Sequence, residues 1–215
     1  MSVFRNLLMN IKEEPKEPYL LSDGVEYINT YFLPQNHSCE IKFALNSLEE
    51  PDVRLWIYQA SYKYYCPIRY DGELKTAYTD GNYVPWGRSG LDITIMGTGQ
   101  FDTKKHTLLY NSTSNHYVYY DGNLVNTMTG FKQLTNSPSA YMLVFAEALY
   151  YNNSPSATPK KYKLYSLKFT NNSNNQVVKS FVPAVHNGVA CLYEEIGGTY
   201  YYGNNGGNNF VYGED

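Results

Sequence analysis

Long hydrophobic runs are missing from this chain. No apolar stretch of about 18 residues, the length that a membrane-spanning helix needs, occurs anywhere in it. The short apolar segment at residues 3–11 is too short and too polar for the core of a signal peptide, and no small-residue cleavage site follows it. We therefore predict a protein that is made in a cytoplasm, carries no signal peptide and does not insert into membranes.

Cysteine and positive charge are also scarce. The three cysteines, Cys39, Cys66 and Cys191, show no CxxC or Cys/His spacing, which argues against a disulfide framework or a zinc site and favours free thiols. Charged residues make up 17% of the chain, against about 25% in an average protein, and the net charge is −3. Because nucleic-acid binding needs a basic stripe, we predict no nucleic-acid partner.

Tyrosine, asparagine and glycine are abundant instead. The chain has 24 tyrosines and 16 glycines, and Asn-rich runs such as residues 171–175 stand where Lys and Glu would be usual. Tyr favours half-buried pleated surfaces, whereas Asn and Gly favour turns. This composition predicts an all-β protein.

Residues 1–18 differ from the rest of the chain. Phe4, Leu7, Leu8 and Ile11 have a helical spacing, and a charged linker containing two prolines follows them. The segment either packs on its own domain or lacks order as a terminus, or it is an arm that docks on another subunit, since nine residues do not form a stable isolated helix. The linker favours the docking arm. We accordingly divide the chain into an arm at 1–18 and a domain at 19–215.

From Val25 onward, short segments with alternating or continuous apolar residues follow one another, separated by turn residues. The clearest hairpin is residues 116–128, where Asp121-Gly122 predicts a type I′ turn. A looser aromatic stretch lies at Ser61–Ser89. About a dozen strands in about 190 residues without repeats predict a two-sheet antiparallel sandwich or jelly roll.

Six motifs spread over residues 24 to 213 occur in the order of a known family. These are Val25-Glu26-Tyr27-Ile28-Asn29-Thr30, Lys105-His106-Thr107, Tyr117 to Gly122, Lys163 to Ser166, Phe181-Val182-Pro183 and Gly188 to Tyr193. The chain thus resembles the concanavalin A-like (LamG-type) jelly-roll domains of gut-bacterial surface proteins and their phages. It departs from the pattern at Glu194-Glu195, where many members have Asp, and in the longer Ser61–Ser89 segment.

The opening FRNLLM resembles leaders on phage virion proteins that carry this domain. The resemblance implies a non-enzymatic bacteriophage virion surface protein, either capsid decoration, head fibre or tail-associated. Residues 1–18 would contact other virion proteins, and a homo-oligomer is compatible with this role. The alternative is a carbohydrate-binding adhesin module that recognises glycans on the host surface.

Catalytic patterns are absent from the sequence. Glycosidases on this fold need two carboxylates on one face, but Glu49-Glu50, Glu194-Glu195 and Glu147 lack that alternation, so we interpret the paired glutamates as solvated turn residues. The four histidines, including His106 and His186, have no nucleophile motif nearby. We interpret His106 as a strand residue whose ring packs and forms hydrogen bonds on the sheet surface. We predict no catalytic residue and no enzyme activity.

Carbohydrate binding needs an aromatic platform with polar neighbours. One loop-rich stretch offers both, although 24 tyrosines also produce clusters by chance and a protein interface would use the same residue types. The predicted glycan-binding residues are Tyr78, Asp80, Asn82, Tyr83, Trp86 and Arg88.

Asp71, Glu73 and Asp80 could contribute to a calcium site, but Asp-Gly turns explain two of these positions equally well, and we predict no cofactor. We expect the closing series, Lys163 to Tyr202, only to complete the fold.

Overall fold

A computed structural model of the protein describes eleven ranges: residues 15–32, 37–48, 53–60, 63–70, 73–80, 91–96, 99–112, 116–128, 142–151, 154–159 and 161–215. Within these ranges every helix or strand element is a β-strand. The strands are β1 (Pro18–Ser22), β2 (Ile28–Asn29), β3 (His37–Leu45), β4 (Val53–Ala60), β5 (Lys63–Tyr70), β6 (Leu74–Asp80), β7 (Leu91–Met96), β8 (His106–Ser112), β9 (His116–Tyr120), β10 (Asn123–Met128), β11 (Leu143–Val144), β12 (Ala146–Tyr151), β13 (Ser154–Pro159), β14 (Tyr162–Asn171), β15 (Val177–His186), β16 (Val189–Glu194), β17 (Thr199–Tyr201) and β18 (Phe210–Glu214).

The strands pair into one large and several small antiparallel sheets. The large sheet runs β10-β9-β8-β3-β14-β15-β16-β17 and also includes β1 and β18. A second sheet is the meander β4-β5-β6-β7, and the pairs β11-β2 and β12-β13 lie beside β4. The predicted all-β, antiparallel fold is confirmed, and the arrangement is consistent with a β-sandwich. The jelly-roll connectivity stays a prediction.

The described ranges contain no helix that is long and apolar enough to cross a membrane.

Strand β14 is the branch point of the large sheet. One of its edges pairs with β3 from Tyr162 to Asn171, while its other edge is shared by β1 and β15. Tyr165 is the extra residue of a bulge in the β14–β3 ladder, and its side chain is 4% exposed. Two branches of the sheet, β15-β16-β17 and β1-β18, therefore leave the same strand.

The hydrophobic core lies on one face of this sheet. Leu164, Leu167 and Phe169 of β14 are fully buried on this face, and the bulge at Tyr165 accounts for the three-residue step between the two leucines. Ile41 and Phe43 of β3 are buried with them. Burying each such side chain contributes about 1.5–3 kcal/mol, so β14 and β3 hold the centre of the fold together.

The hairpin at residues 116–128 forms as predicted. Tyr120 pairs with Asn123, and Asp121 and Gly122 have φ values of 46° and 78°, as a type I′ turn requires. His106 lies beside this turn, with Nδ1 2.8 Å from Asp121 Oδ2 and Nε2 2.8 Å from Asp102 Oδ1. Its ring packs on Tyr120, at a centroid distance of 5.0 Å. The interpretation of His106 as a packed, hydrogen-bonded strand residue is confirmed.

The expectation for the opening strands needs correction. The charged, Pro-containing segment at residues 12–18 predicts a linker and no strand. Pro18 instead starts β1, where it pairs with Glu214. The expected strand from Val25 is reduced to the two residues of β2. It does not continue past Thr30, because Tyr31 has a φ of 51°, in the left-handed region that strands do not use.

The Ser61–Ser89 segment also differs from expectation. The sequence predicts a looser aromatic stretch here, but β5 and β6 lie inside it and pair with each other. The aromatic residues that looked irregular in the sequence belong in part to this two-strand ladder.

Glu194 is not a solvated turn residue, contrary to the sequence interpretation. Its side chain is 0% exposed and accepts hydrogen bonds from Lys179 Nζ at 2.9 Å and from the backbone N–H groups of Ser180, Ile196 and Gly197. Burial alone would raise the pKa of this carboxyl, but the Lys179 ammonium and the backbone donors outweigh it and hold the pKa below 4.5. Glu194 thus ties the β16–β17 turn to β15.

We expect Glu194→Gln to lower the free energy of unfolding by about 1–3 kcal/mol, because the amide loses the charge-assisted bond from Lys179. The folded-state pKa is lowered, so the contribution of Glu194 is present above pH 4.5 and is lost as pH falls through the folded pKa. Urea titrations at a series of pH values measure both effects. Glu195→Gln is the matched control, since Glu195 is exposed and accepts one bond from Ser180 Oγ. Equal acid sensitivity of wild type and Glu194→Gln would contradict the assignment.

Candidate functional site

Most of the residues predicted to act in docking or glycan binding lie outside the described residues. These are Phe4, Leu7, Leu8 and Ile11 of the arm, and Asn82, Tyr83, Trp86 and Arg88 of the aromatic stretch. The backbones of Tyr78 and Asp80 belong to β6, where Tyr78 pairs with Tyr65 and Leu91. The docking role of the arm residues and the glycan-binding role of the aromatic stretch stay predictions.

The proposed calcium ligands are placed only in part. Asp71 lies outside the described residues, Glu73 directly precedes β6, and Asp80 ends that strand. Among the residues that the structure describes, no group of three or more His, Cys, Asp or Glu side chains could hold a metal ion.

Four aromatic side chains meet at the far edge of the large sheet, on β15, β16, β17 and the residue after it. We name this set the edge aromatic cluster. The ladders pair His186 with Val189 and Tyr193 with Tyr200, and paired residues point to the same face of a sheet. Val189 and Tyr193 are four residues apart on β16 and also share a face, so all of these side chains lie on one side of the sheet. The cluster consists of His186, Tyr193, Tyr200 and Tyr202.

The rings of the cluster are in direct contact. The His186 ring stacks on Tyr200 with a centroid distance of 4.0 Å and an interplanar angle of 9°, and Tyr193 meets Tyr200 at 4.9 Å. The hydroxyl of Tyr202 forms a hydrogen bond with Nδ1 of His186. Tyr200 and Tyr202 remain 37% exposed, so the cluster presents aromatic surface to solvent.

The thiol of Cys191 lies under this cluster. Cys191 pairs with Ala184 on the same face, and His186 and Tyr200 stack across the intervening strand β16. The residue is 0% exposed, and its Sγ lies 3.6 Å from the carbonyl oxygen of Ala184. Burial raises the pKa of the Cys191 thiol, which keeps it protonated and unreactive.

An asparagine-rich loop, residues 203–209, begins directly after Tyr202. Asn204 fixes its start, because its side-chain Oδ1 accepts from Tyr27 N and its own N–H donates to Tyr27 O, each at 2.9 Å. Farther along, a Cβ added at Gly207 would lie 3.0 Å from Val189, the ladder partner of His186. The loop therefore lies beside the edge aromatic cluster and leaves Asn205 and Asn208 exposed.

Glu26 supports the loop from below. Its side chain is 0% exposed, its Oε1 accepts from Asn209 Nδ2 at 3.0 Å, and its Oε2 has no hydrogen-bond partner. The carboxyl group occupies the space that a side chain at position 203 would need, since a Cβ there would come within 1.9 Å of Oε2. Gly203 is required at this position because of Glu26.

We expect Gly203→Ala and Glu26→Ala to be coupled in stability. The added methyl group displaces the Glu26 carboxyl and also meets Phe210 at 2.8 Å, so Gly203→Ala alone should cost about 1–3 kcal/mol. In the double variant the carboxyl is gone, and we expect a loss smaller than the sum of the single losses by about 1 kcal/mol. Urea denaturation of the four proteins gives the coupling energy. Additive losses would show that the two positions do not compete for space.

We also expect His186→Ala to expose Cys191. Removing the imidazole opens the stack over β16, so alkylation of Cys191 by iodoacetamide should accelerate by at least about tenfold. Mass spectrometry of the peptides reports each thiol separately. Cys39, which is buried in β3, is the internal control and should stay slow. Faster alkylation of both residues would indicate general unfolding instead, and an unchanged Cys191 rate would refute the covering role of His186.

The chemistry of this corner suits a ligand with an apolar face and several hydroxyl groups. Tyr200 and Tyr202 offer aromatic surface, and the exposed amides of Asn187, Asn205 and Asn208 lie in the turn and loop beside them. Each amide can both donate and accept hydrogen bonds, as sugar hydroxyls do.

Comparisons with known proteins bear on the fold. No protein-family model matches the chain, and no curated protein does. Solved structures do match, and one is a crystal structure from Bacteroides ovatus ATCC 8483 that bears the name "putative carbohydrate binding protein". The TM-score is 0.58 at 10% sequence identity, and the match covers 94% of this chain and 61% of that one. At this identity the likeness shows the fold alone, and the chain spans about three fifths of the neighbour's length.

The sequence interpretation set aside the segment that forms this cluster. Residues 199–209, TYYYGNNGGNN, place three tyrosines shortly before four asparagines, which is the residue pairing sought elsewhere in the chain. That pairing was a usable signal. The contribution of His186 could not be found from the sequence, because its contact with Tyr200 depends on the register of three strands.

Proposed function

We propose that the protein is a non-enzymatic carbohydrate-binding module that binds glycan through the edge aromatic cluster and the loop at 203–209. The observation that carries this proposal is the exposed pair Tyr200 and Tyr202 next to the exposed amides of Asn205 and Asn208. A pyranose ring packs its apolar face on an aromatic side chain and directs its hydroxyls toward neighbouring amides.

The cluster is also held in place before any ligand binds. His186 is stacked on Tyr200 and hydrogen-bonded to Tyr202, and Tyr193 contacts Tyr200 from the neighbouring strand. Because the exposed rings are already ordered, a ligand would lose less affinity to side-chain ordering than on a flexible surface.

The Bacteroides ovatus neighbour supports the proposal through the name it carries, although the likeness itself extends only to the fold. A concanavalin A-like jelly-roll architecture is the finer form of the same proposal. The role as a phage virion surface protein, with residues 1–18 contacting other virion proteins, stays a prediction from the sequence. In that setting, binding of host glycans would be the function of the exposed domain.

We expect Tyr200→Ala to weaken glycan binding by at least about tenfold, equivalent to about 1.4 kcal/mol, because the sugar loses its stacking surface. A glycan array identifies a ligand for the wild type, and isothermal titration calorimetry compares the variants.

Tyr119→Ala is the matched control. Tyr119 is a half-buried tyrosine on β9, toward the opposite end of the large sheet, where it pairs with Leu109 and Leu124. The control should bind as the wild type does. Equal losses in both variants, or a wild type that binds no glycan on the array, would refute the proposed function.

A further inference from the structure

We infer that the edge aromatic cluster binds neutral glycans and discriminates against glycans that carry carboxylate or sulfate groups. This inference rests on the proposed function and specifies its ligand class.

The charge of the surrounding chain is one-sided. From Ser180 to Asp215 the sequence contains no lysine and no arginine, and its charged residues are Glu194, Glu195, Glu214 and Asp215. The strands and loop that build the cluster therefore contribute no permanent positive charge. Arg and Lys are the preferred protein partners of carboxylate and sulfate groups, because they supply charge-assisted hydrogen bonds.

Two lysines on adjoining segments, Lys179 and Lys161, already have contacts of their own. Lys179, on β15, forms an ion pair with the buried Glu194, with Nζ 2.9 Å from Oε2. Its positive charge offsets the buried carboxylate, which would be costly to leave unpaired. Lys161 precedes β14, and its side-chain carbons pack against Gly24, two residues after the end of β1. Breaking the Lys179 bond to serve a ligand would leave a buried carboxylate without its counter-ion.

Glu195 adds a repulsive contribution. It is exposed, lies two residues after Tyr193, and accepts a hydrogen bond from Ser180 Oγ at 2.6 Å, which holds the carboxylate at the β16–β17 turn. An anionic sugar on the cluster would approach this charge, and residues 180–215 supply no Lys or Arg to compensate it. The polar groups that remain, the amides of Asn187, Asn205 and Asn208, match uncharged hydroxyl groups.

The test is an array in which each neutral oligosaccharide is printed beside its sulfated, uronic acid-containing or sialylated counterpart, probed at neutral pH and low salt. We expect binding to neutral members and at least about tenfold weaker binding to the charged counterpart of each. Binding to anionic members only, or equally to both, would overturn the inference while leaving the proposed function intact. No binding to any glycan would overturn both the inference and the proposed function.

A charge-introducing variant tests the location independently. Asn205 lies in an exposed turn, closed by the bond from Gly206 N to Gly203 O, so Asn205→Lys should fold normally. We expect this variant to gain affinity for the charged counterparts by at least about tenfold at low salt and to lose the gain at high salt. Ser173→Lys, in the distant turn after β14, is the control and should change nothing. Equal behaviour of the two lysine variants would place the binding site elsewhere.

Discussion

Strand β14 must satisfy three neighbours, and the rest of the large sheet depends on how it does so. Its pairing with β3 fixes one edge along the whole strand, so its other edge has to be divided between β1 and β15. The bulge at Tyr165 adds twist near the place where the two branches separate. The core residues of β14 anchor both branches, because they are buried with residues of β1, β15 and β16 in one hydrophobic cluster.

The division of the sheet into branches accounts for the position of the candidate site. The branch β15-β16-β17 ends at Tyr201, and β18 of the other branch begins at Phe210. The loop between these residues therefore has to cross from one branch to the other. Glu26 and Tyr27 hold that loop through Asn209 and Asn204. This segment, rich in Gly and Asn, is thereby fixed next to an aromatic surface.

Sequence reasoning succeeded where local patterns decide the structure. Alternating burial in β14 and the Asp121-Gly122 turn follow from side-chain period and from the φ preferences of two residues. It failed where distant residues decide. The burial of Glu194 depends on Lys179 and three backbone donors, and the contact between His186 and Tyr200 depends on strand register. Local charge made residues 12–18 resemble a linker, although Pro18 pairs with Glu214 at the other end of the chain.

The central ladder also sets the order of events during synthesis. Phe43 pairs with Leu164, so the ribosome must produce most of the chain before β3 can meet its principal partner. Loop closure over such a distance is entropically costly and slows folding. Until β14 emerges, one edge of β3 and its apolar side chains have no native partner strand, which exposes the nascent chain to association with other unfolded chains.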